Sequence, residues 1–455
     1  MTRAPGGRLR IGLLHQYRLG TSGSGIYLTR LVEQLVRQGH EVTVLSHDDA
    51  AAAVLPPSCR TVSLRGAGTP VAYPRAEEPG STLFRDLSDT TLNTYLDHAV
   101  DVVSAVVRRH DLQVLHVNSE VPMSYVASQV QERCGTPYVV VGHGSTMEYV
   151  VRADQRYLPL CRTGFLHASA IVALNDDVRR RMIAVDPRLE PKLVQIPAAV
   201  DCDLFRPLPS PTSGPPVVTY VGRLSMEKGV FHLIGSLAEL RREVPDVRVR
   251  VVGDGVERPL LEQMHRALVD GDLDEATRVL FSAADLSEAM WVDMLARHWR
   301  AAPLPEGLPP VEFLGHLPPR EVAAELAAAD VVVVPSLVRE AFPLVVLESL
   351  ACGTPPVCAD SGGLSAVLAE LRPNLGEIGE RIALPGSAAE MSQQLAPILG
   401  DLLRWLAVGE RRAEAREQCR SLAKASYDWT QVGARLAGLY AEASRTASSR
   451  AAVAQ

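Results

Sequence analysis

The chain runs twice through the same alternation of apolar and amphipathic segments, and the turn-rich stretch PLPSPTSGPP at 207–216 stands between the two runs. Before it come LRIGLL, IYLTRLVEQLVRQG and HEVTVLS, then LQVLHV, PYVVVGH and SAIVAL. After it the pattern restarts with VVTYVGR, a helical stretch over 230–243, VRVRVVG, VEFLG, VVVVP and PPVCA. Short β-branched runs separated by amphipathic stretches are strands alternating with helices, and that order builds parallel, doubly wound sheets. The predicted fold class is therefore α/β, with two Rossmann-like domains over 1–208 and 209–425 and a C-terminal helix over 426–445. At 455 residues, 47% apolar and 22% charged, the chain exceeds what one hydrophobic core supports, which agrees with two domains.

Composition excludes several classes. The longest apolar runs, such as VVVV at 331–334, fall far short of the roughly 20 residues a membrane span needs, so no integral membrane segment is expected. The opening MTRAPGGRLR has no apolar core of a signal peptide, and a cytoplasmic location is expected. The net charge of −7 argues against a nucleic-acid partner. Seven cysteines without a CxxC pair indicate neither a disulfide framework nor a zinc site, and buried thiols are expected.

Between VRVRVVG and VEFLG the chain is longer than one crossover helix requires. Its middle, SEAMWVDMLARHW, places Trp291, Leu295 and Trp299 at helical spacing. A helical insertion over about 268–309 follows, whose apolar face packs on its own domain or serves as a partner surface or an active-site cover. A homodimer through this insertion stays open.

Three stretches carry chemistry. In EAFPLVVLESLACGTPPV, residues 340–357, Glu340 falls in a loop after VVVVP. Pro343 suits the first position of a helix that contains Glu348 and that Gly353 ends. A helix opening at the carboxyl end of a parallel strand attracts anions, because its free N–H groups and dipole point outward there. Two acids beside an anion site suit sugar hydroxyls; a solvated loop acid and a helix-surface acid is the bland alternative. In YVGRLSMEKGV, 220–230, a strand runs through a glycine turn to Arg223 and Lys228, two cations that suit a diphosphate. The chain has 43 arginines and only three lysines, and the two bind phosphate differently, so a lysine here favours a selected point charge over an ordinary basic loop. In LGTSGSGIYL, 19–28, the backbone around Gly23 and Gly25 can approach a phosphate, although GxGxxG order is missing. His143 in VVVGHGS follows a strand, where a histidine also serves as an ordinary packing residue.

Together these stretches, with GTPYVVVGHGS, IPAAVDCDLFRP, VRVVGDG, VEFLGHL and SYDWTQVGARLAGLY, resemble the retaining nucleotide-sugar glycosyltransferases of family 4, which have the GT-B fold. The resemblance covers most of the chain. It implies a transferase acting on a UDP- or GDP-sugar and a small soluble acceptor, with retention of anomeric configuration and without cofactor or metal. It also implies roles for His143, Arg223, Lys228 and Glu340 in catalysis. Gly23, Gly25, Arg223, Lys228, Glu340, Phe342, Leu344 and Glu348 would hold the donor, with Arg223 and Lys228 on the diphosphate, Glu348 on the ribose and Glu340 on the sugar. The C-terminal helix would return to the N-terminal domain. Pro343 stands where the family commonly has glycine, which removes one backbone donor. A lipid-linked or cell-surface glycan acceptor at the membrane and a non-catalytic sugar-nucleotide binder are the competing readings. An oxidoreductase is suggested only by the glycine turns and Asp48.

Overall fold

The computed structural model describes residues 7–17, 19, 23–64, 71–72, 82–144, 146–208, 214–283, 292–293, 295–297, 299, 307–340 and 342–453. The chain forms two compact units. Unit 1 takes the residues up to Ala199 and those from Trp429 on; unit 2 is Val200–Asp428.

In unit 1, strands β1 (Arg10–His15), β2 (Glu41–Ser46) and β3 (Arg60–Ser63) precede a short separate pair, β4 (Val71–Ala72) with β5 (Thr82–Leu83). Strands β6 (Val114–Val117), β7 (Tyr138–Gly142), β8 (Ala170–Ala173) and β9 (Leu193–Gln195) complete a seven-stranded sheet of order β3-β2-β1-β6-β7-β8-β9. All its pairings are parallel. Strands β6 and β7 are buried along their whole length, as expected of strands covered by helices on both faces. Local chemistry sets the helix ends. Ser88 and Asn175 accept from the N–H groups of Thr91 and Val178 at 3.1 and 2.9 Å, and Gly135, at φ 72°, stops the helix Met123–Cys134.

In unit 2, β10 (Val217–Val221), β11 (Arg248–Val252), β12 (Val311–Gly315), β13 (Val331–Val334), β14 (Pro356–Ala359) and β15 (Ala383–Leu384) form a six-stranded parallel sheet of order β12-β11-β10-β13-β14-β15. Both sheets thus follow one plan, in which the strand order reverses beside the unit's first strand.

The chain passes into unit 2 at Val200, before the turn-rich stretch at 207–216, because Val200 is already tied down there. Its N–H donates to the Tyr427 carbonyl at 2.8 Å, and it bridges to Asp428. The Arg420 guanidinium then holds the carbonyls of Cys202 and Phe205, both at 2.8 Å. The helix Trp429–Val453 lies in unit 1, where it packs on the helix Gly23–Arg37 and on β6 and β7. Tyr440 places its hydroxyl 2.7 Å from His116 Nδ1, and the Trp429 ring lies 5.1 Å from that of Tyr27.

Two expectations change. The helix expected over 230–243 is broken into Val230–Gly235 and Leu237–Glu243. The cause lies in the insertion: Trp299 donates its indole N–H to the Gly235 carbonyl at 2.7 Å, taking an acceptor the continuous helix would use. Leu295 packs against the same glycine, and both Leu295 and Trp299 are buried, so this face of the insertion serves its own unit. Trp291 lies outside the described residues. Of the seven cysteines, all free, Cys59 and Cys134 are half-buried rather than buried. No helix among the described residues is long and apolar enough to cross a membrane.

Candidate active site

Where a parallel sheet reverses its strand order, the loops leaving the two adjacent strands part to opposite faces and open a crevice at their carboxyl ends. In unit 2 those strands are β10 and β13. The loop after β10 carries Gly222 to Gly229; the loop after β13 carries Pro335 to Glu340.

The two loops are fastened together. Gly229 sits at φ 73°, and a Cβ there would overlap the Pro335 carbonyl oxygen. Leu337 donates its N–H to the Glu227 carbonyl at 2.9 Å. The result is that the Lys228 ammonium pairs with Glu340 Oε1, while the Ser336 hydroxyl donates to the same oxygen at 2.9 Å. Both Lys228 and Glu340 are about one-fifth exposed, open to a ligand yet partly desolvated. From the other side, a Cβ at Gly253, which sits at φ 134°, would overlap the Gly222 carbonyl oxygen, and Glu257 accepts the Met226 N–H at 2.5 Å. Arg223 is exposed on the first loop, its carbonyl accepting from the Tyr220 hydroxyl at 2.7 Å.

Beyond Glu340 the chain enters the helix Leu344–Ala351 with Pro343 as N-cap, one position before the expected one. Glu348 is half-buried within it, and Gly353, at φ 79°, follows its end. Leu344 is half-buried at the helix start, and the Phe342 ring meets that of Tyr427 edge-on at 6.3 Å.

In unit 1 the reversal lies between β1 and β6. Gly23, Ser24 and Gly25 form the first turn of the helix Gly23–Arg37 rather than a loop before it. The Asn118 amide, just past β6, donates to the Ser24 carbonyl at 3.0 Å, which turns its Oδ1 towards His143 Nε2 at 2.9 Å. A carbonyl oxygen can only accept, so His143 carries its proton on Nε2 and keeps a lone pair on Nδ1. The ring is packed edge-on against Tyr27 at 5.2 Å, and burial lowers the imidazole to about 4, so it is neutral at physiological pH. Asp48 is occupied otherwise: its carboxylate accepts the N–H groups of Leu19 and Ala50, both at 3.0 Å, which accounts for an acid at the end of β2 without any ribose.

The family model for glycosyl transferases group 1 matches residues 205–272 and 306–395, and that for the glycosyl transferase 4-like domain matches 22–199. The chain belongs to the group 1 glycosyltransferases. A curated relative, the 2-deoxystreptamine glucosyltransferase of Streptomyces kanamyceticus, is 26% identical over 62% of this chain and 66% of its own length. The GDP-mannose-dependent alpha-(1-6)-phosphatidylinositol monomannoside mannosyltransferase of Mycolicibacterium smegmatis is 26% identical over 57% of this chain and 61% of its own. The chain thus spans two thirds or less of these relatives. Among solved structures, sucrose-phosphate synthase from Thermosynechococcus elongatus superposes with a TM-score of 0.63 at 20% identity, over 96% of this chain and 99% of that one. Anabaena HepE in complex with UDP and glucose does so with a TM-score of 0.61 at 18% identity, over 95% and 99%. These likenesses establish the GT-B fold.

For a group 1 glycosyltransferase, then, sequence reasoning named the residues at the mouths of both reversals but missed Asn118 and Ser336, which hold His143 and Glu340. Each is a polar residue directly after a wholly buried strand or its closing proline, in LHVN and VVVVPS, and that position is the available signal.

Proposed function

We propose that this glycosyltransferase moves a sugar from a UDP- or GDP-sugar onto a small soluble acceptor, retaining anomeric configuration. The observation that carries the reading is the Lys228–Glu340–Ser336 cluster at the reversal of the unit 2 sheet, a cation and a hydroxyl-accepting carboxylate side by side at strand ends. Lys228 and Arg223 neutralise the diphosphate, Glu340 accepts from the donor sugar and Glu348 from the ribose; the reading of His143, a neutral ring, as a sugar-facing group rests on the family resemblance alone. Phe342 and Leu344 complete the donor contacts of unit 2. In the chemical step the bond from C1 to the diphosphate oxygen breaks, and the acceptor oxygen bonds C1 on the same face. The acceptor proton passes to the departing phosphate oxygen. Positive charge from the two cations stabilises the leaving group, so neither metal nor cofactor is required.

A thermal-shift panel of UDP- and GDP-sugars tests the donor class, since a ligand at 100 times its Kd stabilises the folded state by about 2.7 kcal/mol. Transfer assays in EDTA then follow, with aminocyclitols first among the acceptors because of the 2-deoxystreptamine relative. No stabilisation by any nucleotide sugar would refute the reading. The phosphatidylinositol mannoside relative favours a second, lipid-linked acceptor, and co-sedimentation with anionic liposomes separates the two.

Glu340 and Glu348 are expected to separate in kinetics. Replacing a charged acceptor by a neutral one costs about 1 kcal/mol. Glu348→Gln should raise donor KM about fivefold for every sugar on one nucleotide, whereas Glu340→Gln should change the ranking among sugars. Equal effects across a sugar panel would remove the distinction.

A further inference from the structure

Glu120 belongs to none of the motifs above, yet it is fully buried three residues past β6. Both its carboxylate oxygens are spent on the loop that carries His143: the Gly144 N–H donates to Oε1 and the Thr146 hydroxyl to Oε2. Its own carbonyl accepts from Ser124 at the start of the next helix, which anchors Glu120 to the scaffold. On the opposite side, Arg181 of the helix Asp176–Val185 donates to the Gly144 carbonyl at 3.4 Å and pairs with Asp177. The Gly144 N–H is therefore held by a buried carboxyl group, and its carbonyl by the half-buried Arg181 guanidinium as well as by the Glu148 N–H at 3.1 Å. Gly144 itself sits at φ 74°, a conformation that a loop reaches at little cost only with glycine.

A buried carboxylate is costly unless its oxygens are satisfied, and apolar packing would fill the same volume more cheaply. Burial raises the Glu120 carboxyl above its ordinary value, and the Thr146 and Gly144 hydrogen bonds and the Arg181 charge offset this only in part. What the carboxylate secures is the backbone adjacent to His143.

We propose that Glu120, together with Arg181, is a positioning residue for His143: the buried acid and the half-buried guanidinium clamp Gly144 and so hold the imidazole on Asn118 and Tyr27 in its Nε2–H tautomer. Catalytic consequences rest on the reading of His143 as a sugar-facing group, but the clamp itself can be tested without it.

The experiment is histidine-selective 15N NMR of the full chain, with the His143 signal assigned by its loss in His143→Ala. The wild-type ring should remain an Nε2–H tautomer down to about pH 4. In Glu120→Gln the loosened loop admits water, the burial that favours the neutral ring is reduced, and the titration should move towards the ordinary value of about 6.5. Turnover should fall about tenfold while the Kd for UDP or GDP changes less than twofold, and adding Glu120→Gln to His143→Ala should cause no further loss. An unchanged His143 tautomer and titration in folded Glu120→Gln overturns the clamp whatever the activity. Wild-type turnover in His143→Ala would instead refute the sugar-facing role and leave the NMR result to decide the clamp. If Glu120→Gln does not fold, Arg181→Gln is read by the same spectra, with the same shift expected and its absence overturning the proposal.

Discussion

Lys228→Ala is expected to lower donor kcat/KM by about tenfold to 150-fold, the equivalent of one charge-assisted hydrogen bond of about 1.5–3 kcal/mol. Two effects contribute. The diphosphate loses a cation, and Glu340, about one-fifth exposed, loses its ionic partner and keeps only the Ser336 hydroxyl on that oxygen. A double-mutant cycle with Glu340→Gln separates them, because the two side chains touch and their effects should not add. The neutral amide removes the unpaired charge, so the double variant should recover stability relative to Lys228→Ala without recovering donor use. Wild-type turnover of Lys228→Ala would disprove the phosphate assignment, and full recovery of donor use in the double variant would show that the lysine serves only Glu340.

Gly229→Ala should be more damaging to the fold than its size suggests. At φ 73° a non-glycine residue costs of order 1–3 kcal/mol, and the added Cβ also overlaps the Pro335 carbonyl oxygen at the end of β13, where overpacking typically costs about 1–3 kcal/mol more. Relief requires the two loops to move apart, which separates Lys228 from Glu340 and Ser336. Urea unfolding followed by circular dichroism should therefore report a loss of about 2–6 kcal/mol, accompanied by loss of donor binding. Gly438→Ala is the matched control: it lies exposed within the helix Trp429–Val453 with nothing near its Cβ, and it should gain up to about 1 kcal/mol from helix propensity. Equal stabilities for the two variants would show that the contact with Pro335 does not constrain the loop.

Much of the candidate site was legible in sequence because its residues sit at strand ends. An apolar run that stops at a glycine or a proline marks the carboxyl end of a buried strand, and Arg223, Lys228, Glu340 and His143 all follow such runs. What was not legible is what these residues touch. Lys228 and Glu340 lie 112 positions apart, Asn118 and Ser24 lie 94 apart, and only sheet order makes them neighbours. The single helix expected over 230–243 fails for the same reason, since the group that takes the Gly235 carbonyl arrives from Trp299.

The amino-acid order alone determined the strand and helix alternation, the two sheets, the family and the glycine turns that flank the unit 2 strands, because periodicity, capping and backbone freedom act within a few residues. Only the tertiary structure decided that Val200 already belongs to unit 2, that Asp48 holds backbone, that Asn118 sets the tautomer of His143 and that Glu120 grips Gly144. Buried polar groups must find partners, and which partner is within reach is settled by the packing of distant strands rather than by adjacent sequence.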